Sequence, residues 1–350
     1  MKKNYLDIID PIHDFIRVYD YELPIIDSPL FQRLRRIKQL SGAHLTYPAA
    51  QHSRFEHSLG VMHIATEAGF SLNEKGFLNS DDVQILRLAS LLHDIGHGPF
   101  SHLFEEVIQE KKISHEDYGK KIILNSEIGD ILAKTGFNKK LVTQIAFGES
   151  KFQYLNEIVS GALSADMMDY LLRDGYFTGA EHAKVDHKRI TQSLSVHKKK
   201  IALERSALYS FESMMHSRYQ MFKAVYFHKT VRAAEVMLIQ ALRLSDDEFG
   251  FTSFDLDEYV KLTDEFVLSS LISSKSPKLK QAKQLAEDYQ NRKLLKCVFE
   301  RILTSQTNLK KTRTDELRLE ISKKSKINEN EIFVDSSVTP SIPLAPSKNE

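Results

Sequence analysis

The chain has 350 residues, 42% of them hydrophobic and 27% charged, and its 48 basic and 47 acidic side chains leave a net charge of +1. That length holds one large domain with an appendage, or two domains, and the near-zero charge excludes a global field for nucleic acid or anionic lipid while leaving a local basic patch open. A single cysteine, Cys297, excludes an intrachain disulfide and a thiolate metal cluster, the N-terminus is no signal peptide, and no apolar run spans a membrane, so a soluble cytoplasmic protein is expected.

Residues 7–26 mix Ile, Val, Tyr and Asp without helical period and predict a short strand or hairpin. Asp27-Ser28-Pro29 reads as a helix start, an N-cap candidate followed by proline in the first turn. The stretch 30–40 continues it, with Leu30, Leu34 and Ile37 on one face. Strong amphipathic helices are expected over 55–71 and 82–94, the second ended by Gly96 and Gly98. Further helices are expected near 99–110, 115–124, 127–135, 139–146, 154–174, 187–195, 205–243, 256–268, 277–286 and 288–304. The stretch 186–204, with Lys198-Lys199-Lys200, reads as a surface hairpin or loop whose charges are solvated. Residues 305–326 read as an exposed connection or basic hairpin, and 336–350, with three prolines, as an extended tail. Long helices with short connections make this a mainly α protein. Its expected divisions are a core over 1–245, a C-terminal helical region over 246–304, and a basic connection and tail over 305–350.

Eight of the fourteen histidines fall between residues 44 and 115. The run Leu91-Leu92-His93-Asp94-Ile95-Gly96-His97-Gly98-Pro99-Phe100-Ser101-His102 packs three imidazoles and a carboxylate behind an apolar helical stretch. A lone buried histidine is more often a satisfied core residue, but this density around Gly and Pro favours a site. Neutral imidazole with carboxylate suits divalent Zn, Fe, Mn or Ni and sets an activated water beside a proton carrier. His57 opens a second helix, in Ser53-Arg54-Phe55-Glu56-His57-Ser58. A fourth ligand must come from elsewhere, and Asp166 is the best supplier. In the segment 166–174, positions Asp166, Asp169, Tyr170, Arg173 and Asp174 share one helical face, opposite Met167, Met168, Leu171 and Leu172. That stripe reads either as the wall of a polar cleft or as the solvent face of an ordinary amphipathic helix.

The order His57, His93-Asp94, Asp166 resembles the HD-domain phosphohydrolases, in which those four side chains hold one divalent metal per subunit. The likeness extends to the deoxynucleoside triphosphate (dNTP) triphosphohydrolase branch, whose vertebrate members add a sterile-alpha-motif domain. It is carried by Asp10-Pro11-Ile12-His13, Ile26-Asp27-Ser28-Pro29, Phe31-Gln32-Arg33-Leu34-Arg35, Ile37-Lys38-Gln39-Leu40 and Arg54-Phe55-Glu56-His57-Ser58-Leu59-Gly60-Val61. The runs 93–102 and 166–174 and Lys261-Leu262-Thr263-Asp264 complete it. The match begins almost at residue 1, so no sterile-alpha-motif domain is expected ahead of it.

The resemblance implies an HD-domain helical core with minor β hairpins. It also implies a metal drawn from Mn, Fe, Mg, Zn, Co or Ni, and a dNTP substrate attacked at the α-phosphorus to give deoxynucleoside and tripolyphosphate. Gln39 and Leu40 would contact the deoxyribose and close the space of a ribose 2′-hydroxyl, and Arg54 would meet a phosphate. His97, His102 and His115 with Glu105 would form the acid/base group. Asp169, Tyr170 and Asp174 would line the sugar side, and Arg218 and Tyr226 would reach phosphate and sugar from a later helix. Three positions depart from the vertebrate pattern. Met167 replaces a phosphate-holding lysine, Phe227 a glutamine and Glu105 an aspartate, which bears on substrate preference.

An activating nucleotide that bridges subunits of a dimer or tetramer would use Asp27, Gln32, Arg35 and Arg292. Leu6 stands where that site expects a lysine, and Asp27 reads equally well as a helix N-cap and Arg35 as a solvated face. The chain ends where relatives continue with another lobe, and it reads as a shortened or a compact member. Two other readings stay open: an HD-type phosphatase or phosphodiesterase acting on another nucleotide or on nucleic-acid ends, and a non-catalytic nucleotide-sensing scaffold. Neither membrane association nor strong nucleic-acid binding is expected.

Overall fold

In the computed structural model, residues 4–108, 113–300 and 311–335 are described. Strands β1 (Tyr5–Asp10) and β2 (Asp14–Tyr19) pair antiparallel, with Leu6 opposite Val18 and Ile8 opposite Ile16, and they sink Ile16 and Val18 into the core. Two single turns follow, α1 (Leu23–Ile26) and α2 (Pro29–Gln32). The cap of α2 is Ser28, whose hydroxyl accepts from Phe31 N, while Asp27 ends α1. The helix expected over 30–40 gives way to a 3-10 turn at Arg33–Arg36. Beyond it, residues 37–39 run extended against 52–54, because their backbone donors and acceptors find partners there.

The central helix α3 (Arg54–Glu74) carries a capping box of Ser53 and Glu56 and is buried around most of its circumference. Helix α4 (Ser80–Leu92), capped by Asn79 and Asp82, packs along it. Then come α5 (His102–Ile108), α6 (His115–Asn125), α7 (Glu127–Lys134), α8 (Lys139–Ala146) and α9 (Gln153–Val159). The helix expected over 154–174 is broken at Ser160-Gly161, and Ser164 caps a new helix, α10 (Ala165–Thr178). Asp166 therefore sits in a first helical turn. Helix α11 (His187–Gln192) precedes a hairpin of β3 (Leu194–His197) and β4 (Lys200–Leu203), the element expected there.

The long helix expected over 205–243 is three pieces: α12 (Leu208–Met221), a wide turn at Phe222–Tyr226, and α13 (Lys229–Phe249). Helices α14 (Leu256–Tyr259), α15 (Asp264–Ser273) and α16 (Lys280–Gln290) follow. Residues 291–300 form no regular element, contrary to the helix expected over 288–304, whose last residues lie outside the described ones. Within 305–326 the described part is helical, α17 (Lys311–Ser325), rather than a connection or hairpin. The tail 336–350 is outside the described residues. The fold is mainly α, as expected. No helix among the described residues is long and apolar enough to cross a membrane.

Two apolar clusters result. The larger gathers the hairpin β1–β2, α3, α4 and α7 to α10. The second joins α5 to α13, α15 and α16 through Leu103, Phe104, Leu238, Leu242, Val267, Leu271 and Ala286. Residue 245 lies inside α13, so the second cluster draws on segments from both sides of that expected division. The loop 93–101 crosses the seam between the clusters and is braced from both sides. Tyr259 Oη donates to Gly96 O (2.7 Å), buried Arg33 donates to His97 O (2.8 Å) and to Leu262 O (3.0 Å), and Ser41 Oγ donates to Phe100 O (2.6 Å). Phe100 and Ser101 hold φ of 58° and 53°, an unfavourable left-handed pair for residues with a Cβ. Asp264 fixes them, accepting from Phe100 N (2.6 Å) and, at its other oxygen, from Lys38 N (3.0 Å). Burial, only partly offset by those two donors, lifts its carboxyl to about 6.

Asp264→Ala leaves both N–H groups without their acceptor, and a drop of about 2–4 kcal/mol in unfolding free energy is expected by urea denaturation. Glu265→Ala, at the exposed next position, is expected to change it by less than about 0.5 kcal/mol.

Candidate metal centre

Three helices bring His57, His93, Asp94 and Asp166 together. His57 lies near the start of α3, His93 and Asp94 follow the end of α4, and Asp166 stands in the first turn of α10. His57 Nε2 is 3.1 Å from Asp166 Oδ1 and 3.6 Å from Asp94 Oδ2. His93 Nε2 is 3.4 Å from Asp94 Oδ1 and 3.9 Å from Asp166 Oδ1. Donors bound at roughly 2.0–2.2 Å from one ion sit about 3 Å or somewhat more from each other, so this set has the right span. The ring orientations agree. His57 Nδ1 donates to Asp169 Oδ2 (2.8 Å) and His93 Nδ1 to Ser90 O (2.8 Å), which leaves both Nε2 lone pairs facing the carboxylates. His93 Nε2 is buried without a hydrogen-bond partner, which suits a nitrogen that can ligate a cation. The residues fit a divalent ion.

Electrostatics point the same way. Burial opposes charge on His57, but hydrogen bonds to Asp166 and Asp169 outweigh it and lift the imidazole to about 10. Where no cation sits, a proton takes its place, so metal binding must displace it and strengthens as pH rises. Burial alone would raise Asp94, yet Arg54, then His93 and His97, hold it well below the ordinary carboxylate range. Arg54 is buried, with Nη1 2.6 Å from Asp94 Oδ2 and Nε donating to Ser101 Oγ at 3.0 Å. It orients a ligand as well as standing near the centre.

Asp169 lies behind the centre rather than on an open wall. It is fully buried: Oδ1 accepts from His13 Nε2 (2.7 Å) and Arg173 Nη2 (2.9 Å), and Oδ2 from His57 and Arg173 Nε (2.9 Å). Arg173 continues to Asp10, whose Oδ1 also caps the turn at Ile12 and His13. The helical face 166–174 thus points inward, and the solvent-face reading of that stripe fails. Gly60 on α3 makes the contact feasible, since a Cβ there would come within 1.9 Å of Asp169 Oδ1.

The second histidine group also converges. His97 stacks on His115 at 4.0 Å, and Glu105 accepts from His115 Nδ1 (2.8 Å) and His102 Nδ1 (3.2 Å). Gly96 allows this approach, for a Cβ there would meet His115 O at 2.1 Å. Burial and then Arg54 push His97 well below its usual range, which keeps it neutral. Burial opposes charge on His115, but Glu105 outweighs it and raises the imidazole. Glu105, despite burial, is held low by His102 and His115. His115, whose imidazole Glu105 raises, thus lies one ring away from Asp94, with His97 between them.

Of the residues expected to meet a sugar, Gln39 and Leu40 are half-buried, and Gln39 Oε1 is buried without a partner. Asp174 Oδ2 accepts from Tyr226 Oη at 2.7 Å, and the Tyr170 and Tyr226 rings meet edge to face at 6.4 Å. Arg218 Nη1 lies 3.7 Å from Met167 Sδ, and its Nε is buried without a partner. Of the regulatory candidates, Gln32 accepts from Arg35 Nε (2.8 Å) and donates to Ile26 O, and Asp27 is exposed nearby. Arg292 instead donates to Leu45 O (2.7 Å). The contacts of His13, Arg33 and Asp264 are not legible in the sequence because each meets a partner far along the chain. Asp10-Pro11-Ile12-His13 and Thr263-Asp264 are visible as motifs, but nothing local tells what they touch.

A family model described as the HD domain matches residues 54–174, and one described as the HD associated region matches 185–348. The uncharacterized protein YwfO of Bacillus subtilis is 37% identical over 74% of this chain and 64% of its own length. The deoxynucleoside triphosphate triphosphohydrolase SAMHD1 of Homo sapiens is 31% identical over 90% of this chain and 58% of its own. The chain therefore spans less than two thirds of either curated relative. A solved phosphohydrolase structure from Bacteroides thetaiotaomicron is similar with a TM-score of 0.76 and 31% identity, covering 93% of this chain and 85% of that one.

Gly60→Ala drives a methyl group into Asp169 and so swings His57 off its ligand orientation. The expected result, read by metal titration against a chelator, is a loss of about 10–100-fold in affinity, and Asp169→Asn should lose a similar amount.

Proposed function

We propose, from the premise that this chain belongs to the HD-domain family, that it is a metal-dependent phosphohydrolase cleaving dNTPs to deoxynucleoside and tripolyphosphate. The observation that carries the proposal is the meeting of two imidazole Nε2 atoms with the Asp94 and Asp166 carboxylates, one ring away from His115, which Glu105 holds by a hydrogen bond. A divalent cation, when bound, supplies Lewis acidity and an acidified water. The remaining tasks fall to the chain.

Asp166 is the most open of the four ligands, with its side chain 33% exposed, so substrate approaches from its side. Arg218, whose Nε lacks a protein partner, is the donor ready for a phosphate oxygen, and Arg54 fixes Asp94 beneath it. Water adds to the α-phosphorus, the bond to the 5′ oxygen breaks, and a proton from the His115–Glu105 pair goes to that departing oxygen. Gln39 and Leu40 close on the sugar, and Asp174 with Tyr226 forms the facing wall. Met167, in place of a cation, leaves Arg218 to meet the phosphates from that side. The likeness to a dNTP triphosphohydrolase over most of this chain supports the same reading.

The deciding measurement is product identification by ion-pair chromatography with each dNTP and with GTP in the presence of added Mn, Fe, Co or Mg. Deoxynucleoside and intact tripolyphosphate are expected, stepwise orthophosphate would favour a phosphatase, and no turnover with any metal would favour a nucleotide sensor. His93→Ala and Asp166→Ala should each abolish turnover. Because Glu105 holds the His115 proton to higher pH, Glu105→Gln should move the alkaline limb of the kcat profile toward lower pH. An unmoved limb would remove His115 from the proton-donor role.

A further inference from the structure

His52 is assigned no role by the sequence or by the reading above, yet it touches both halves of the sugar pocket. Its side chain is fully buried, with Nε2 2.7 Å from Asp174 Oδ1, so the N–H that points at Asp174 is on Nε2. Asp174 is itself buried, and its other oxygen accepts from Tyr226 Oη at 2.7 Å. Phe177, one turn further along α10, stacks on the imidazole at 4.7 Å and 17° and keeps the ring from swinging. The backbone of His52 does a second job. Its carbonyl accepts from Gln39 N (3.1 Å), within a short antiparallel zipper that includes the bridge of Lys38 to Ser53 and the bond from Arg54 N to Ile37 O (2.9 Å). One residue therefore sets the distance between the segment carrying Gln39 and the wall made by Asp174 and Tyr226.

We infer that His52 is a positioning residue that sets the selectivity of the pocket for 2′-deoxyribose over ribose. A buried carboxylate that loses one of its donors must rotate, admit water or take up a proton. Rotation or water entry moves Tyr226, which donates to the same carboxylate, and widens the gap that excludes a 2′-hydroxyl. The inference rests on the reading that this pocket takes a deoxynucleotide sugar. A histidine that merely fills core space would act through stability alone, and stability does not alter a ratio of two substrates measured on one preparation.

The test is kcat/KM for dGTP and for GTP on metal-loaded wild type, His52→Leu and His52→Gln. His52→Leu is expected to lower the dGTP:GTP ratio about tenfold or more. His52→Gln, whose amide can still donate to Asp174, should keep most of the ratio. If His52→Leu does not fold, Tyr226→Phe breaks the same linkage from the other side and should lower the ratio likewise. A wild type that prefers dGTP while the leucine variant, or Tyr226→Phe in its place, keeps that preference overturns the inference and leaves the proposed function standing. A wild type that turns over dGTP and GTP alike, or neither, overturns the sugar reading and this inference with it.

Discussion

The site is organised around one carboxylate that water never reaches. Asp169 sits between the central helix and α10 with both oxygens filled by His13, His57 and Arg173. A charge this deep is tolerated only when its partners are in place, and removing any one of them costs far more than an exposed ion pair would. That requirement fixes the Nδ1–H tautomer of His57 and hence the direction of its lone pair. It also ties the hairpin turn at Asp10 to His13 to the candidate metal centre through Arg173.

The second constraint lies at the seam between the two apolar clusters. The loop bearing His97 leaves α4 in one core and enters α5 in the next, and it holds an unfavourable backbone conformation on the way. Arg33, Tyr259 and Asp264 meet its polar groups one by one. These braces come from both sides of the seam: Tyr259 and Asp264 from segments of the second cluster, and Arg33 from the turn whose Leu34 packs in the first.

Much of this was legible in the sequence where the signal is local. The helix opening around His57, the apolar period ending at His93, and the turn residues behind it mark two of the candidate ligand helices directly. What the sequence hid follows from non-local competition. A continuous helical period over 205–243 does not reveal that the chain widens at Phe222–Tyr226 to deliver Tyr226 to Asp174. The pattern over 30–40 looks helical, yet residues 37–39 are drawn straight by partners at 52–54 and at Asp264. Period alone put Asp169 and Arg173 on a polar stripe, and only the packing of α10 on Gly60 turns that stripe inward.

The bond from Phe100 to Asp264 joins residues 164 positions apart, whereas the last member of the candidate metal cluster is already present at Asp166. During vectorial synthesis the half that gathers His57, His93, Asp94 and Asp166 can therefore form while the later helices are still unmade. In a growing chain the loop that carries His97 receives its last brace only after that cluster is in place.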